Sequence, residues 1–185
     1  MSKKEEIFIS VDIEASGPIP GEYSMLTLGA CLVDDPLKTF TCAIKPINDR
    51  FVSEALDVTG LSMAKLAMEG LDPKTAMTQF EAWLASNHNG HGSPVFVGLN
   101  APFDWSFVNY YFHRFLGRNP FGFTAVDVKA VYMGAVGCAW SETKSSDIAR
   151  LLNPTLKGDH NALHDALYQA ELFRLVRKVR RSSAA

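Results

Sequence analysis

The chain has 185 residues, of which 47% are hydrophobic and 21% are charged. This length and composition predict one folded domain across residues 1–185, with a core from about 7 to 179, rather than a disordered or fibrous chain. The 18 basic and 20 acidic side chains leave a net charge of −2, which excludes a global positive field as the means of holding a long polyanion.

Three cysteines are far apart in the sequence, at Cys31, Cys42 and Cys138. Their odd number and the lack of a C-x-x-C pair argue against a disulfide framework and a zinc knuckle, so we expect a reducing, cytoplasmic setting. The first residues contain no apolar run of the length of a signal peptide or a membrane span. We therefore expect neither secretion nor membrane insertion.

The first part of the chain predicts strands. Residues 7–13 are almost all apolar and β-branched, which is typical of a central strand buried on both faces. Two more β-like runs follow, at 25–33 and 39–44, each after turn-forming residues. Together the three runs predict an antiparallel meander.

From residue 53 the hydrophobic period changes to a helical one, and Asp72 followed by Pro73 is a typical helix start. The remaining elements are predicted in this order: a helix that ends near 87–92, a strand at 95–99, a helix at 104–116, a β-like run at 123–126, a helical stretch from about 127, a short helix near 146–152 and a long helix from 161 to about 179. Strands followed by alternating helices and strands indicate an α/β fold with a mixed sheet.

Acidic side chains occur where predicted strands end. Because side chains alternate along a strand, Asp12 and Glu14 project from the same face. Ligands of open α/β sheets bind at the carboxyl ends of strands, and this pair lies at such an end. Asp104 follows the strand at 95–99 and would lie beside the pair, although an isolated Asp at a helix start is more often an N-cap.

His160 and Asp165 lie at the start of the last predicted helix. Residues five apart in a regular helix point about 140° from each other, so these two share a site only if His160 precedes the helix or lies in its first turn. Asp165 borders the buried stripe of the helix and therefore requires a cation or a hydrogen-bonding partner. The predicted stripe contains Ala162, Ala166, Ala170, Phe173 and Val176.

Three motifs follow one another along the chain: Asp12-Ile13-Glu14, then Asn100-Ala101-Pro102-Phe103-Asp104, then His160-Asn161-Ala162-Leu163-His164-Asp165. The set resembles the three motifs of the DEDDh 3′–5′ exonucleases, which include proofreading subunits of bacterial replicative polymerases, ribonuclease T and oligoribonuclease. The likeness extends from residue 7 to about 176. It implies a ribonuclease H-like fold, α/β with a five-stranded mixed sheet of order 3-2-1-4-5 flanked by helices.

The resemblance also implies that Asp12, Glu14, Asp104 and Asp165 hold two Mg²⁺ or Mn²⁺ ions and that His160 is the general base. Four carboxylates in one cleft repel one another unless cations neutralise them, and all-oxygen ligands favour these metals over Zn²⁺. Two such ions stabilise the attacking and leaving oxygens of a phosphoryl displacement, while a neutral imidazole takes a proton from water. The expected products are nucleoside 5′-monophosphates.

The resemblance implies substrate contacts for Ser16, Gly17, Asn100 and Phe103. Gly17 would allow close approach of the terminal nucleotide, and an ordinary turn is an equal alternative. The expected substrates are single-stranded DNA or RNA 3′ ends and short oligonucleotides, because a chain with a net charge of −2 has no global positive field to hold a long polyanion, which favours short or partner-delivered chains. An oligoribonuclease-like or RNA-end-trimming exoribonuclease and a non-catalytic nucleic-acid-binding module on the same fold are the alternatives.

Aromatic residues are concentrated around the helix predicted at 104–116. Phe107, Tyr111 and Phe115 recur at helical spacing and are expected in the core. The remaining aromatic side chains there, including Trp105 and Phe112, are candidates for a homodimer contact.

Overall fold

In the computed structural model, which describes residues 5–88 and 92–182, five strands form one mixed sheet of order β3-β2-β1-β4-β5. The strands are β1 (Glu5–Ala15), β2 (Met25–Leu32), β3 (Thr39–Ala43), β4 (Gly92–Gly98) and β5 (Ala125–Asp127). β1 pairs antiparallel with β2 and parallel with β4, and β4 pairs parallel with β5. The predicted strand order, the meander and the central place of the first strand are confirmed.

Helices cover the sheet, and they are α1 (Ser53–Thr59), α2 (Met63–Glu69), α3 (Pro73–His88), α4 (Pro102–Leu116), α5 (Val128–Val136), α6 (Ser145–Leu152) and α7 (Ala162–Ser182), with a short 3-10 helix at Trp140–Glu142. Asp72 caps α3 as predicted, since its Oδ1 accepts hydrogen bonds from the N–H groups of Lys74 and Thr75. Within the described residues, every helix is too short or too polar to cross a membrane.

The start of α4 differs from the prediction. The helix begins at Pro102, two residues before the predicted start, because proline needs no N–H partner in the first turn of a helix. Ala101 holds the N-cap position and makes no side-chain capping bond. Asp104 therefore lies inside the first turn, and its carboxylate is available for another contact.

The two faces of β1 pack against different helices. Ile9, Val11 and Ile13 are buried in a core cluster that includes Phe80 of α3 and Phe107 of α4. On the opposite face, Phe8 packs against Phe173 of α7, with ring centroids 5.3 Å apart. The even-numbered side chains of β1, which include Asp12 and Glu14, therefore face α7, in agreement with the predicted alternation.

The start of α7 contacts β2 directly at Gly29. A Cβ atom on this residue would overlap the backbone of Ala162 and Leu163, so only glycine lets the helix approach this closely. The predicted stripe of α7 is buried as expected, from Ala162 to Val176. The residues just before α7 are thereby placed beside the end of β1.

Two aromatic residues of α4, Phe112 and Trp105, pack against other aromatic side chains of this chain. Phe112 is fully buried and packs against Phe80, with ring centroids 5.7 Å apart. Trp105 is half-buried and meets Phe96 edge-on. The hypothesis that Phe112 and Trp105 line a homodimer contact is therefore wrong for Phe112 and unsupported for Trp105, because intramolecular packing already uses both rings.

Candidate functional site

Asp12 and Glu14 lie on the part of β1 that extends beyond its parallel neighbour. The ladder between β1 and β4 ends at Ser10 and Val97, whereas β1 continues to Ala15. On the other side, the pairing with β2 shifts register between Glu14 and Ala15. Both carboxylates are partly exposed and project toward the first turn of α7.

Asp104 reaches this edge from α4. It is buried, with 4% of its surface exposed, and its Oδ1 accepts a hydrogen bond from the backbone N–H of Ile13 at 3.0 Å. Ile13 stands between Asp12 and Glu14, so this bond attaches the first turn of α4 to the strand segment that carries the other two acids.

His160 precedes α7, which satisfies the condition for sharing a site with Asp165. Its backbone is left-handed, with φ of 61°, a conformation that few residues other than glycine adopt. Asp165 stabilises this loop, since its Oδ1 accepts from the N–H of Asp159 at 2.9 Å and its Oδ2 accepts from the N–H of His160 at 3.1 Å. The loop therefore folds back over the helix start and brings the imidazole toward the acids.

Asn161 caps α7 and completes the loop. Its Oδ1 accepts hydrogen bonds from the N–H groups of Leu163 and His164, at 3.1 and 3.2 Å. His164 is exposed, and its Nδ1 lies 2.8 Å from Oδ2 of Asp159. These contacts give the segment before the helix a defined shape.

Glu14, His160 and Asp165 come together from the end of β1 and the start of α7. One possible ligand atom of each side chain lies within 4.8 Å of the corresponding atoms of the other two. Asp12 and Asp104 belong to the same electrostatic cluster, because each is destabilised as an anion by other acids of the site. All five predicted metal-ligating and catalytic residues are thus brought to one edge of the sheet.

Burial and like charges raise the pKa of every acid in this cluster. Burial is the largest cause for Asp12, whose pKa lies well above 3.8, and the charges of Asp104, Asp165 and Glu14 raise it further. For Glu14, burial and the charge of Asp165 raise the pKa to about 7.

Asp104 and Asp165 also accept backbone hydrogen bonds that oppose the shift. Burial raises the pKa of Asp104 to about 8, although the bond from Ile13 favours its ionised form. Burial raises the pKa of Asp165 as well, while the N–H groups of Asp159 and His160 lower it. The acids of the site therefore carry more negative charge than the backbone N–H groups around them neutralise.

This donor set fits divalent cations. Four carboxylates and one imidazole supply mainly hard oxygen ligands, which suit Mg²⁺ or Mn²⁺. A cation would offset the mutual repulsion that raises the pKa values of Asp12 and Glu14, so the acids could remain ionised at neutral pH.

An apolar cavity of about 290 Å³ adjoins the acids. Its lining includes Glu14, the predicted substrate residues Gly17 and Phe103, and apolar side chains of α1 and the residue before it, among them Val52 and Val58. The Phe103 ring is 37% exposed and packs against Phe107. The size and apolar character of the cavity suit a flat aromatic group such as a nucleobase.

The other predicted substrate residues have different surroundings. Ser16 is fully buried, its hydroxyl donates to the carbonyl O of Arg50, and it accepts from the N–H of Ser24. These bonds use the Ser16 hydroxyl to stabilise the turn, and the predicted substrate contact of Ser16 stays a prediction. Asn100 is exposed in the loop before α4, with φ of 65°, and lies outside the residues that line the cavity.

Gly17 has a structural requirement of its own. A Cβ atom at this position would overlap the ring of Tyr23, so the turn needs glycine for packing as well as for any approach of a ligand. Both interpretations of Gly17 therefore remain compatible with its place beside the cavity.

Two polar residues that the sequence did not single out support the site. Gln169 is buried, donates to Asp12 and accepts from the N–H of Leu99. Asp127 accepts from the N–H of Ala101 at 2.8 Å and caps α5. The spacing of four residues between Asp165 and Gln169, which places both on one face of α7, is the signal that could have identified Gln169.

Comparison with known proteins identifies the family and the fold of this chain. Residues 9–173 match a protein family whose description is exonuclease. The 3′-5′ DNA exonuclease Cap18 of Escherichia coli is 55% identical over 179 residues, which are 97% of this chain and 96% of that protein.

Solved structures of nucleases share the fold. The nuclease domain of 3′hExo, a DEDDh family member bound to rAMP, is 14% identical with a TM-score of 0.73, over 100% of this chain and 94% of that one. Escherichia coli Exonuclease I in complex with a dT13 oligonucleotide is 15% identical with a TM-score of 0.74, over 97% of this chain and 43% of that one. The predicted ribonuclease H-like fold is confirmed.

Proposed function

Since this chain belongs to the DEDDh exonuclease family, we propose that it removes nucleotides from the 3′ ends of single-stranded DNA by hydrolysis and releases nucleoside 5′-monophosphates. The observation that carries the proposal is the convergence of His160 and four acids at the end of β1. The family match covers residues 9–173 and therefore includes all five of these side chains, so we assign the phosphodiester hydrolysis of the family to this cluster.

DNA is the proposed substrate because the similar Escherichia coli protein is a 3′-5′ DNA exonuclease. Single strands fit the apolar cavity beside Glu14, since an unpaired terminal base can leave its neighbours and stack on Phe103. RNA is the alternative, because a neighbour with the same fold is bound to rAMP.

We propose that Asp12, Glu14, Asp104 and Asp165 together hold two Mg²⁺ or Mn²⁺ ions. When bound, such ions supply electrostatic stabilisation of the attacking and leaving oxygens in phosphoryl transfer. The contacts of Asp104 and Asp165 with backbone N–H groups fix these two carboxylates independently of a cation. Preformed ligands lower the ordering cost of binding.

His160 is the proposed general base. Its ring is exposed at the mouth of the site and lies close to Glu14 and Asp165, so it can reach a water molecule that solvent supplies. In the proposed reaction a water oxygen bonds to phosphorus, the bond from phosphorus to the 3′ oxygen breaks, and the water proton passes to a ring nitrogen of His160. The leaving 3′ oxygen takes a proton from solvent water, so the shortened strand ends in a 3′ hydroxyl group.

We propose that the chain forms one domain, which carries the whole site from Asp12 to Asp165. All five proposed site residues belong to the same chain, and a homodimer stays a prediction that cannot use Phe112, because its ring is buried within the chain. The three cysteines are free thiols, two of them with pKa values raised by burial to about 12, which is compatible with the reducing cytoplasm proposed for the protein.

The test uses 5′-labelled DNA and RNA 12-mers of matched sequence with Mg²⁺. We expect the DNA to shorten from its 3′ end, nucleoside 5′-monophosphates to accumulate, and EDTA to abolish both. Asp165→Asn should remove the activity, and Asp35→Asn, a change of an exposed acid, should not. Faster cleavage of RNA would favour an exoribonuclease, and binding without products would support the non-catalytic alternative.

A further inference from the structure

The side-chain amide of Gln169 connects three parts of the site. Gln169 lies on α7 one turn after Asp165 and is 4% exposed. Its Oε1 accepts from the N–H of Leu99 at 2.9 Å, and its Nε2 donates to Oδ1 of Asp12 at 2.5 Å. The amide therefore joins the end of β4, the end of β1 and the helix that carries Asp165.

The chemistry of the two partners fixes the orientation of the amide. A backbone N–H can only donate and a carboxylate can only accept, so Oε1 must face Leu99 and Nε2 must face Asp12. Rotation of the amide by 180° would place its NH₂ group against the N–H of Leu99 and its oxygen against the carboxylate of Asp12, and both contacts would be unfavourable. Since the amide is buried, no water can replace either bond, and both hold the side chain in one position.

Asp12 needs such a donor more than an ordinary surface acid does. It lies at the end of a strand among three other acids that repel it, and without a neighbouring cation its carboxylate would be pushed away from them. A donor on Oδ1 fixes the plane of the carboxylate and leaves its other lone pairs free. Groups that orient metal ligands in this way typically contribute about 10- to 100-fold to metal affinity or activity.

We infer that Gln169 is a positioning residue that holds the Asp12 carboxylate in the orientation needed to bind a divalent cation. This inference rests on the proposed function, because it takes Asp12 as a metal ligand. The competing role is packing alone, in which the amide fastens α7 to the end of β4 through Leu99 and has no effect on the cation.

Gln169→Met tests the inference, because it keeps the length of the side chain and removes both hydrogen bonds. Mn²⁺ binding is measured by calorimetry at a temperature where the variant is folded, and the melting temperature is measured in EDTA. We expect Mn²⁺ affinity to fall about 10- to 100-fold, and activity at low Mn²⁺ to fall with it and to recover in part at high Mn²⁺. Gln169→Asn keeps the polar groups but is one methylene too short to reach both partners, and it decides the question if Gln169→Met does not fold.

Tyr168→Phe is the matched control. Tyr168 is next to Gln169 on α7, and the change removes the hydrogen bond between its hydroxyl and Ser145 of α6 while leaving both hydrogen bonds of Gln169 in place. We expect it to lower the melting temperature without changing Mn²⁺ affinity. A folded Gln169 variant that binds Mn²⁺ within about twofold of the wild type would overturn the inference.

Asp12→Asn separates this inference from the proposed function. If Asp12→Asn loses Mn²⁺ and activity while the Gln169 variants keep both, only the role of Gln169 is wrong. If the wild type itself binds no Mn²⁺ and cleaves no DNA, the proposed function fails together with the inference.

Discussion

The carboxylate of Asp104 accepts a hydrogen bond from the backbone N–H of Ile13, although 91 positions separate the two residues. β4 pairs with β1 only as far as Ser10, so the Ile13 N–H lies beyond the ladder and needs another acceptor. Asp104 provides it. The same contact that satisfies the backbone of β1 therefore holds a third acid beside Asp12 and Glu14.

Asp104→Asn should separate the charge of this residue from its hydrogen bond. The amide oxygen of asparagine can still accept from Ile13, so we expect the variant to fold. Loss of a proposed ligand should lower DNA cleavage by about 100-fold or more, beyond the effect typical of residues that only orient ligands. The measurement is turnover at saturating Mg²⁺.

The same variant should be more stable than the wild type when no metal is present. Since burial raises the pKa of Asp104 to about 8, its ionisation opposes folding, and a neutral side chain removes that cost. Thermal unfolding in EDTA at pH 8 should show a higher melting temperature for Asp104→Asn. A lower one would mean that the carboxylate has a stabilising partner besides Ile13.

The stability of the metal-free protein should depend on pH in a defined direction. The ordinary pKa values are 3.8 for Asp and 4.5 for Glu, whereas the folded values are about 8 for Asp104 and about 7 for Glu14. At pH values between the ordinary and the folded pKa, the folded chain binds more protons than the unfolded chain. These two groups therefore make the stability of the fold decrease as the pH rises. In EDTA we expect the melting temperature to fall from pH 5 to pH 8.

Divalent cations should reverse that loss. They bind the ionised carboxylates of the folded state, so Mg²⁺ should raise the melting temperature more at pH 8 than at pH 5. Parallel scans with Mg²⁺ and with EDTA at both pH values measure the difference. An equal effect of Mg²⁺ at the two values would show that the raised pKa values of Asp104 and Glu14 do not govern the stability of the site.

Variants of His160 and variants of the acids should differ in metal binding. His160→Ala should retain Mn²⁺ binding and lose about 10²- to 10⁴-fold in turnover, the usual contribution of a general base. Asp12→Ala and Asp165→Ala should lose both metal binding and turnover. Calorimetric titration with Mn²⁺ beside a turnover assay distinguishes the classes, and undiminished cleavage by Asp12→Ala would refute the site assignment.

The sequence predicted the acids of the site because their placement follows local rules. The two-residue period of a strand puts Asp12 and Glu14 on one face, and the geometry of a helix requires His160 to precede α7 if it meets Asp165. The structure satisfies both conditions through the Asp165 carboxylate, which binds the N–H of His160. The strand order was predicted from the family resemblance and needed no knowledge of the contacts.

The supporting contacts could not be predicted because they depend on tertiary structure. The partner of Gln169 is 157 positions away, and the burial of Ser16 depends on hydrogen bonds to Arg50 and Ser24. The apolar cavity likewise needs α1, a short helix whose exposed Val58 gives little signal of burial. Side chains of this kind become recognisable only when the elements are packed.

The cavity should set the affinity for the terminal nucleotide. Phe103 is its aromatic wall, and stacking of a base on an aromatic side chain is typically worth about 1–3 kcal/mol. Phe103→Ala should therefore raise the KM for a single-stranded DNA 12-mer by about 10-fold and change kcat much less, because the acids and His160 stay in place.

Phe123→Ala is the matched control, since Phe123 is 89% exposed and lies outside the residues that line the cavity. It should leave KM unchanged. Steady-state kinetics of both variants on the same 12-mer give the comparison. Equal KM values for Phe103→Ala and the wild type would place the terminal base elsewhere, and a loss confined to kcat would mean that Phe103 acts on the position of the scissile phosphate.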